Sequence, residues 1–461
     1  MNFLIVIAAL ALLMFVAYRG YSVILFAPVC ALLAILFTAP ADTLPMFSGI
    51  FMEKMVGFVK LYFPVFMLGA LFGKVIELSG FSKSIVSAVI KLIGAERAML
   101  SIVAVCAILT YGGVSLFVVV FAVYPFAAEM FKQGNIPKRL IPGTIALGSF
   151  TFTMDALPGT PQIQNIIPTT FFKTTTYAAP WLGVIGSIFI LIVGMLYLTS
   201  RRKKALAANE GYGTDHINEP VQLADEKLVS PWLAILPLIL VGVLNKYFTI
   251  AIPAFFGKSV TVAIPDHPLT VDVSKLVGIW AVEGALLVGI LAVVLIAFKR
   301  VTTKFAAGSK EAIAGSLLAS MNTASEYGFG GVIAALPGFV VVADSLKNIP
   351  NPLVNEAITV TTLAGITGSA SGGMSIALAA MSDTFIQAAN AAHIPMEVLH
   401  RVASMASGGM DTLPHNGAVI TLLAVTGLTH KTSYRDIFAV TLIKTSAVFV
   451  IIAAYYLFGI Y

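Results

Sequence analysis

Two aspartates stand where an apolar chain would not be expected to carry charge. Asp155 lies in Met154-Asp155-Ala156-Leu157-Pro158-Gly159 and Asp411 in Met410-Asp411-Thr412-Leu413-Pro414-His415, each followed by a proline inside a hydrophobic stretch. An ionised carboxylate at the centre of a bilayer costs at least about 2.5–3.5 kcal/mol. Proline removes a backbone donor and breaks the helix around it. An anion binds beside such an aspartate only when the carboxylate is protonated or neutralised by a cation. Asp155 and Asp411 are therefore candidate coupling-ion residues for a proton, or equally for sodium. Glu326, beside Ser325 and Tyr327, is a third candidate for the proton path. His415 is of the residue type that shuttles protons near neutral pH.

The two phrases are offset by 410 − 154 = 256 positions, and other echoes keep nearly that spacing. Phe72-Gly73-Lys74-Val75-Ile76 matches Phe329-Gly330-Gly331-Val332-Ile333, and Ile136-Pro137 matches Ile394-Pro395. Three echoes in the same order indicate two tandem copies of one unit. Two further paired features sit before the aspartates. The run Arg97–Phe131 is interrupted by Thr110-Tyr111-Gly112-Gly113-Val114-Ser115, and its counterpart from Pro352 to Ala392 by Thr367-Gly368-Ser369-Ala370-Ser371-Gly372-Gly373. Glycine pairs release the helix, so each run reads as a hairpin that enters the membrane and returns. The segments 136–172 and 394–428 read as broken spanning helices. Freed backbone groups are tolerated in a membrane only against protein, water or ligand, which places the four breaks around one cavity.

That cavity suits an organic anion. Half-helix N-termini present N–H groups and a positive dipole end, and the tips add hydroxyls from Thr110, Ser115, Thr367, Ser369 and Ser371. Thr160, Gln162 and Asn165 follow the first break and His415 and Asn416 the second. The candidate substrate-binding set is thus Thr110, Tyr111, Gly112, Gly113, Ser115, Thr160, Gln162, Thr367, Gly368, Ser369, Ser371, Gly372, Gly373, His415 and Asn416. The tip glycines are expected to leave room for ligand against the backbone.

Composition supplies the setting. Hydrophobic residues make up 58% of the 461-residue chain and charged residues 11%, too little polar surface for a soluble fold. The net charge of +6 comes from short basic stretches beside apolar segments, so no nucleic-acid partner is implied. Cys30 and Cys106 lie in apolar segments and read as free thiols. No metal or cofactor is expected, and the motifs of hydrolases, phosphate-binding loops and metalloproteases are missing. An enzyme is disfavoured. A channel is the rival of another class, disfavoured because a hairpin from each face suggests two gates.

Apolar segments near 2–17, 21–38, 58–78, 177–198, 230–250, 273–298, 311–341 and 436–459, with the two broken ones, approach the roughly 17–25 residues a span needs. The first is expected to be retained as a helix. Arg201-Arg202-Lys203-Lys204 place loop 199–229 in the cytoplasm, and Lys299, Arg300 and Lys304 mark a second basic loop there, following the positive-inside rule. The count puts Lys83, Lys138 and Arg139 inside and both termini outside. Each half then holds about five spans plus a re-entrant hairpin, so 1–198 and 230–461 are inverted repeats joined by a flexible cytoplasmic linker, 199–229. The fold class is an all-α polytopic membrane protein, with an extended excursion possible within 251–272.

Over nearly its whole length, the chain resembles gluconate permease family transporters of the ion transporter superfamily, including the branch described as hydroxybutyrate permeases. The twin Met-Asp-x-Leu-Pro phrases within Ser149–Gln162 and Ala406–Thr421 carry the resemblance, together with the glycine-rich tips. It implies proton-coupled uptake of a sugar acid or short hydroxy acid by a homodimer in a bacterial inner membrane, moving as an elevator. The run Gly368–Gly373 departs from the more Ser/Thr-rich tips of gluconate carriers, which points to a smaller monocarboxylate. A sodium-coupled symporter or an ion/organic-acid antiporter is the alternative.

Overall fold

The computed structural model describes residues 2–19, 21–94, 97–114, 116–214, 216–219, 228–264, 268–339, 349–414 and 416–461. Helices dominate, as required when a lipid-exposed backbone must satisfy its own hydrogen bonds. The first half opens with α1 (Asn2–Tyr18) and α2 (Val23–Thr38), and mixed helical turns over 40–51 lead into α3 (Met52–Leu78). A helix absent from the span list, α4 (Phe81–Ile93), buries Phe81, Ile85 and Val86 on one side. The first hairpin is α5 (Ala98–Tyr111) with α6 (Leu116–Gln133). The first broken helix comprises α7 (Ile141–Ser149), one turn at Phe152–Asp155, and α8 (Ile163–Phe172), and α9 (Pro180–Ala207) follows.

The second half likewise ends in a hairpin, a broken helix and a long helix, with no counterpart of α4 among the described residues. It runs α10 (Pro231–Phe256), α11 (Val273–Ile296), α12 (Phe298–Ala335), the hairpin α13 (Pro352–Thr367) and α14 (Ala370–Ala391), the broken pair α15 (Met396–Ser407) and α16 (Gly417–Thr426), and α17 (His430–Phe458). Among the described residues, five helical stretches are long and apolar enough to cross a membrane unaided. The excursion between α10 and α11 is an antiparallel ribbon, β1 (Ser259–Val262) against β2 (Leu269–Asp272), with Ser259 opposite Asp272.

Packing puts the breaks in the middle. The 38-residue α12 lies along α3 and α2 and meets α14, while α10 packs on α11 and α9 on α17. Inside these helices, α5 packs on α7, both arms of the second hairpin on α15, and α8 against α11, α14 and α15. Each break has a local cause. At the first, Pro158 and Pro161 supply no N–H, and Gly159 adopts φ +81° with its Cα against the Tyr177 ring, where any Cβ would collide. At the second, Gly408 ends α15 and the Asn416 side chain caps α16 through Val419 N–H at 2.9 Å.

Two expectations are corrected. Lys299, Arg300 and Lys304 do not form a loop: the chain bends at Ala297 and they are the opening turns of α12, because nothing among them breaks a helix. Nor is the linker loose along its whole length. α9 continues to Ala207, and 208–219 is tied to the body of the protein. Arg139 donates to Glu210 through Nε at 2.6 Å and Nη2 at 2.8 Å, and Nη1 reaches the buried Asp436 at 3.3 Å. Lys138 Nζ donates to Ile217 O at 2.9 Å and Glu219 at 2.7 Å, and Asn218 Nδ2 to Ala424 O at 2.9 Å.

The Arg139 guanidinium holds the Glu210 carboxyl below its ordinary value of 4.5. A carboxylate with a depressed folded-state value contributes stability above its unfolded value and loses it as pH falls through the folded one. Hydrogen-exchange protection of 208–219 is therefore expected to fall once the pH drops below about 4.5. Arg139→Ala should remove the Glu210 part of that step, leaving the Lys138–Glu219 tie, and cost about 0–1 kcal/mol, as for a partly exposed ion pair. Unchanged protection at strongly acid pH would show that the tether does not hold the segment.

Candidate functional site

The first break is filled by side chains of the protein itself. Arg401, on α15 and fully buried, donates Nη1 to Asp155 O at 3.1 Å and to Asn165 Oδ1 at 3.0 Å. Its Nε and Nη2 reach Ala178 O at 3.1 and 2.8 Å, and Nη2 also reaches Thr176 O at 3.4 Å. Ser404 Oγ donates to Asp155 O at 2.7 Å. Asn165 Nδ2 donates to Thr160 O at 3.0 Å and Thr176 O at 2.8 Å, which fixes its Oδ1 as the acceptor for Arg401 and for His400 Nε2 at 3.2 Å. Asn245 Nδ2 covers Gly159 O at 3.1 Å and Tyr111 OH covers Pro158 O at 2.9 Å. The carbonyls left open at the first break are thus satisfied by residues brought in from α5, α10 and α15.

The second break is tied to α17. Lys444, buried in the middle of that helix, pairs with the Asp411 carboxylate and donates to Phe150 O at 2.9 Å. Phe150 caps α7, so one ammonium bridges the first break to the second. Tyr434 OH donates to Thr412 O at 3.1 Å, and His430 Nε2 lies 2.8 Å from Pro414 O. Asp155 has no such counter-ion bond: its Oδ2 is buried without a hydrogen-bond partner, against Gly408, with Lys444, Asp411 and Arg401 as the neighbouring charges.

A cavity of about 1310 Å³ reaches from exposed Glu77 and Glu311 to buried Glu326 and Asp411. Its wall includes the starts of both half-helices, Gln162–Gln164 and Asn416–Ala418, and the start of α14, Ser369–Ser371. Helix N-termini with their partial positive charge thus converge on one space. Of the residues singled out from the sequence, Gly113, Gln162, Thr367, Gly368, Ser369, Ser371, Asn416, Asp411 and Glu326 line it. Ser115 and His415 lie outside the described residues. Each half also ties its hairpin tip to its half-helix by one carboxamide. Gln162 Nε2 donates to Thr110 O at 2.8 Å, and Asn416 Nδ2 to Gly368 O at 2.8 Å.

The remaining candidates do not face the cavity. Tyr111 spends its hydroxyl on Pro158 O, Thr160 donates to Thr153 O at 2.8 Å, and Thr110 is buried with Oγ1 unpartnered. Asp155, expected where water could reach it, is not in the cavity wall. The tip glycines are corrected as well. Gly112 Cα lies against the Leu238 side chain, Gly373 against the backbone of Ala364, and Gly372 against the Glu326 carboxylate. Gly372 and Gly373 belong to the first turn of α14, which starts at Ala370. They permit close packing of hairpin arms and α12, and only Gly113 and Gly368 meet the open space.

Sequence reasoning missed Lys444, Arg401 and His400. The signal was present for the first: a lysine in the middle of an apolar span is as costly as an aspartate there. Arg401 sits four residues before the hydrophobic end of the short helix preceding the second motif and gives no comparable local cue.

No family model matches the chain. In fold, it is similar to the Alcanivorax borkumensis YdaH transporter, which has an unusual topology, with a TM-score of 0.50 and 16% identity over 91% of this chain and 90% of that one. It is also similar to Neisseria gonorrhoeae MtrF, of a class of antimetabolite efflux pumps, with a TM-score of 0.54 and 15% identity over 90% of this chain and 84% of that one. At these identities the likeness is one of fold alone. The relationship to the uncharacterized transporter YxjC of Bacillus subtilis (strain 168) is far nearer, with 60% identity over 472 aligned positions that cover 100% of both chains. The chain therefore belongs to the same family of multi-pass membrane transporters as YxjC.

Proposed function

We propose that the protein is a secondary active transporter that moves a small hydroxylated monocarboxylate, of the 3-hydroxybutyrate or gluconate kind, with protons across the bacterial inner membrane. The observation that carries this reading is the cavity wall, where the starts of α8, α14 and α16 meet Asp411 and Glu326. Helix N-termini favour a carboxylate, Ser369, Ser371 and Thr367 offer hydroxyl partners, and two acidic side chains of the same wall offer places for a coupling proton. The inverted-repeat reading of 1–198 and 230–461, the homodimer and the elevator motion belong to the same proposal. Supporting it, Arg300 Nη1 donates to Ser79 O at 3.3 Å, which brings two basic segments assigned to the cytoplasm together beside the exposed end of the cavity.

Purified protein in liposomes, given gluconate, 3-hydroxybutyrate, lactate and citrate in competition under an imposed pH gradient, tests the substrate class. Concentrative uptake of a hydroxymonocarboxylate that collapses with the gradient is expected. Equilibration without accumulation would mark a channel, and accumulation driven by sodium alone would give the alternative coupling. Because the fold is shared with an efflux pump, net movement is measured in both directions.

Sidedness has its own test. A cysteine at Ala208 should label from the cytoplasmic face only, and labelling from outside would overturn the assigned topology.

The two carboxamide ties give a fourth expectation. Gln162→Leu removes the donor to Thr110 O, and Asn416→Ser keeps a helix cap while losing the reach to Gly368 O. Each should cost about 1 kcal/mol for the lost hydrogen bond, seen as a lower melting temperature in detergent, and should slow uptake. Wild-type melting and uptake in both variants would show that these bonds do not hold the tips.

A further inference from the structure

We infer that Lys444 receives the substrate's carboxylate and that Asp411, released from Lys444, takes the coupling proton, so each monovalent anion crosses with one proton and no net charge. This rests on the proposal that the cavity binds a monocarboxylate, and it adds the anchoring residue and the charge balance of the cycle.

The geometry supplies the first step. Lys444 Nζ pairs with Asp411 and bonds Phe150 O, and both of those residues line the cavity. The ammonium thus lies immediately behind the wall, bonded to two of its residues. It has three donors, and the described residues take two of them. The other cations near the cavity are placed differently. Lys74 is held by Glu77 and Glu311 at the exposed end, and Lys83 also lines the cavity but is itself exposed. Arg401 does not line the wall, and its donors are committed to Asp155 O, Asn165 Oδ1, Thr176 O and Ala178 O. Lys444 is the buried cation whose partner a substrate could replace.

Charge accounting supplies the second. The charged groups facing one another here are Asp155 of the first break, Arg401 of α15, Asp411, and Lys444 of α17, with the Tyr434 phenol also beside Asp411. The Asp411–Lys444 pair at the wall is neutral as a unit. An anion entering it leaves a buried negative charge uncompensated, which a low-dielectric interior strongly disfavours. A proton on Asp411 restores neutrality. It breaks the Asp411–Lys444 ion pair, frees the ammonium for the substrate carboxylate, and removes the one negative charge that lines the wall beside it. Of the two motif aspartates, Asp411 lines the cavity and Asp155 does not, and Asp411 is the wall carboxylate paired with Lys444. Anion and proton then strengthen each other's binding by the same factor.

The test uses purified full-length protein in liposomes with radiolabelled 3-hydroxybutyrate and gluconate. Potassium and valinomycin clamp the membrane potential while the pH gradient is varied, and the converse is then imposed. Accumulation should follow the pH gradient at zero potential, and a potential alone should drive none. Binding to wild type should weaken by about tenfold per pH unit once Asp411 is ionised, as one linked proton requires. Asp411→Asn should bind the anion with no pH dependence, exchange it, and fail to accumulate it. Lys444→Gln alone leaves a buried carboxylate unpaired and is expected to fold poorly, so the neutral pair Asp411→Asn with Lys444→Gln is measured instead; it should fold and bind neither anion. Accumulation driven by potential alone, or wild-type affinity in the neutral pair, overturns the inference while leaving anion transport intact. Absence of binding and uptake of both anions by wild type overturns the underlying reading, and this inference with it.

Discussion

The structure depends on satisfying carbonyls that have been taken out of a helix inside a bilayer. Water is not available to do so, and each orphaned group costs several kcal/mol in hydrocarbon. The protein meets the requirement by crossing its halves. Arg401 and Ser404, which precede the second motif, bond Asp155 O in the first. Lys444, on the last helix, bonds Phe150 O at the first break and pairs with Asp411 at the second. Neither break is stable on its own chain segment, so the two can exist only together. That mutual dependence holds both half-helices with their starts on one cavity.

The twin motifs share a sequence but not an environment. The first is enclosed by Arg401, Asn165, Asn245 and Tyr111, and its aspartate faces Gly408 away from the cavity. The second is held by α17 and by the Asn416 tie to the hairpin tip, and its Asp411, Thr412 and Asn416 line the open space. A repeated phrase thus gives a structural aspartate in one copy and a wall residue in the other. The difference comes from the partners: α17 carries a lysine into the centre of the molecule, whereas the described part of α9 brings only uncharged side chains until its basic end at Arg201.

Backbone likeness to transporters of low identity fixes the architecture and leaves the chemistry of the site to these side chains. YdaH and MtrF share the fold, but the surroundings of Asp411, Lys444 and Glu326 are properties of this chain and are the features a substrate would meet. The tether that follows α9 adds a second link between the halves, through Arg139, Glu210 and Asp436, independent of the buried ion pair.

The sequence by itself determined most of the elements and their punctuation, though not α4 or the helical start of α12. Hydropathy marked the membrane spans, glycine runs marked the two hairpins, and Pro158 and Pro414 marked the breaks, because each is a local property of the chain. It also marked Asp155, Asp411 and Glu326 as charges needing a reason. What tertiary structure alone decided is which partner each acquired. Asp411 pairs with a lysine of another helix, Asp155 has no ion pair among the described residues, and Gly372 and Gly373 serve a close approach between hairpin arms and α12 where open space for ligand was expected. Lys444 escaped notice because one charge barely lowers the mean hydropathy of a long apolar helix, and pairing across elements leaves no trace in spacing. The boundary between what could and could not be read is the range of the forces involved: helix breaking acts within a few residues, whereas the neutralisation of a buried charge is settled by whatever the fold brings alongside it.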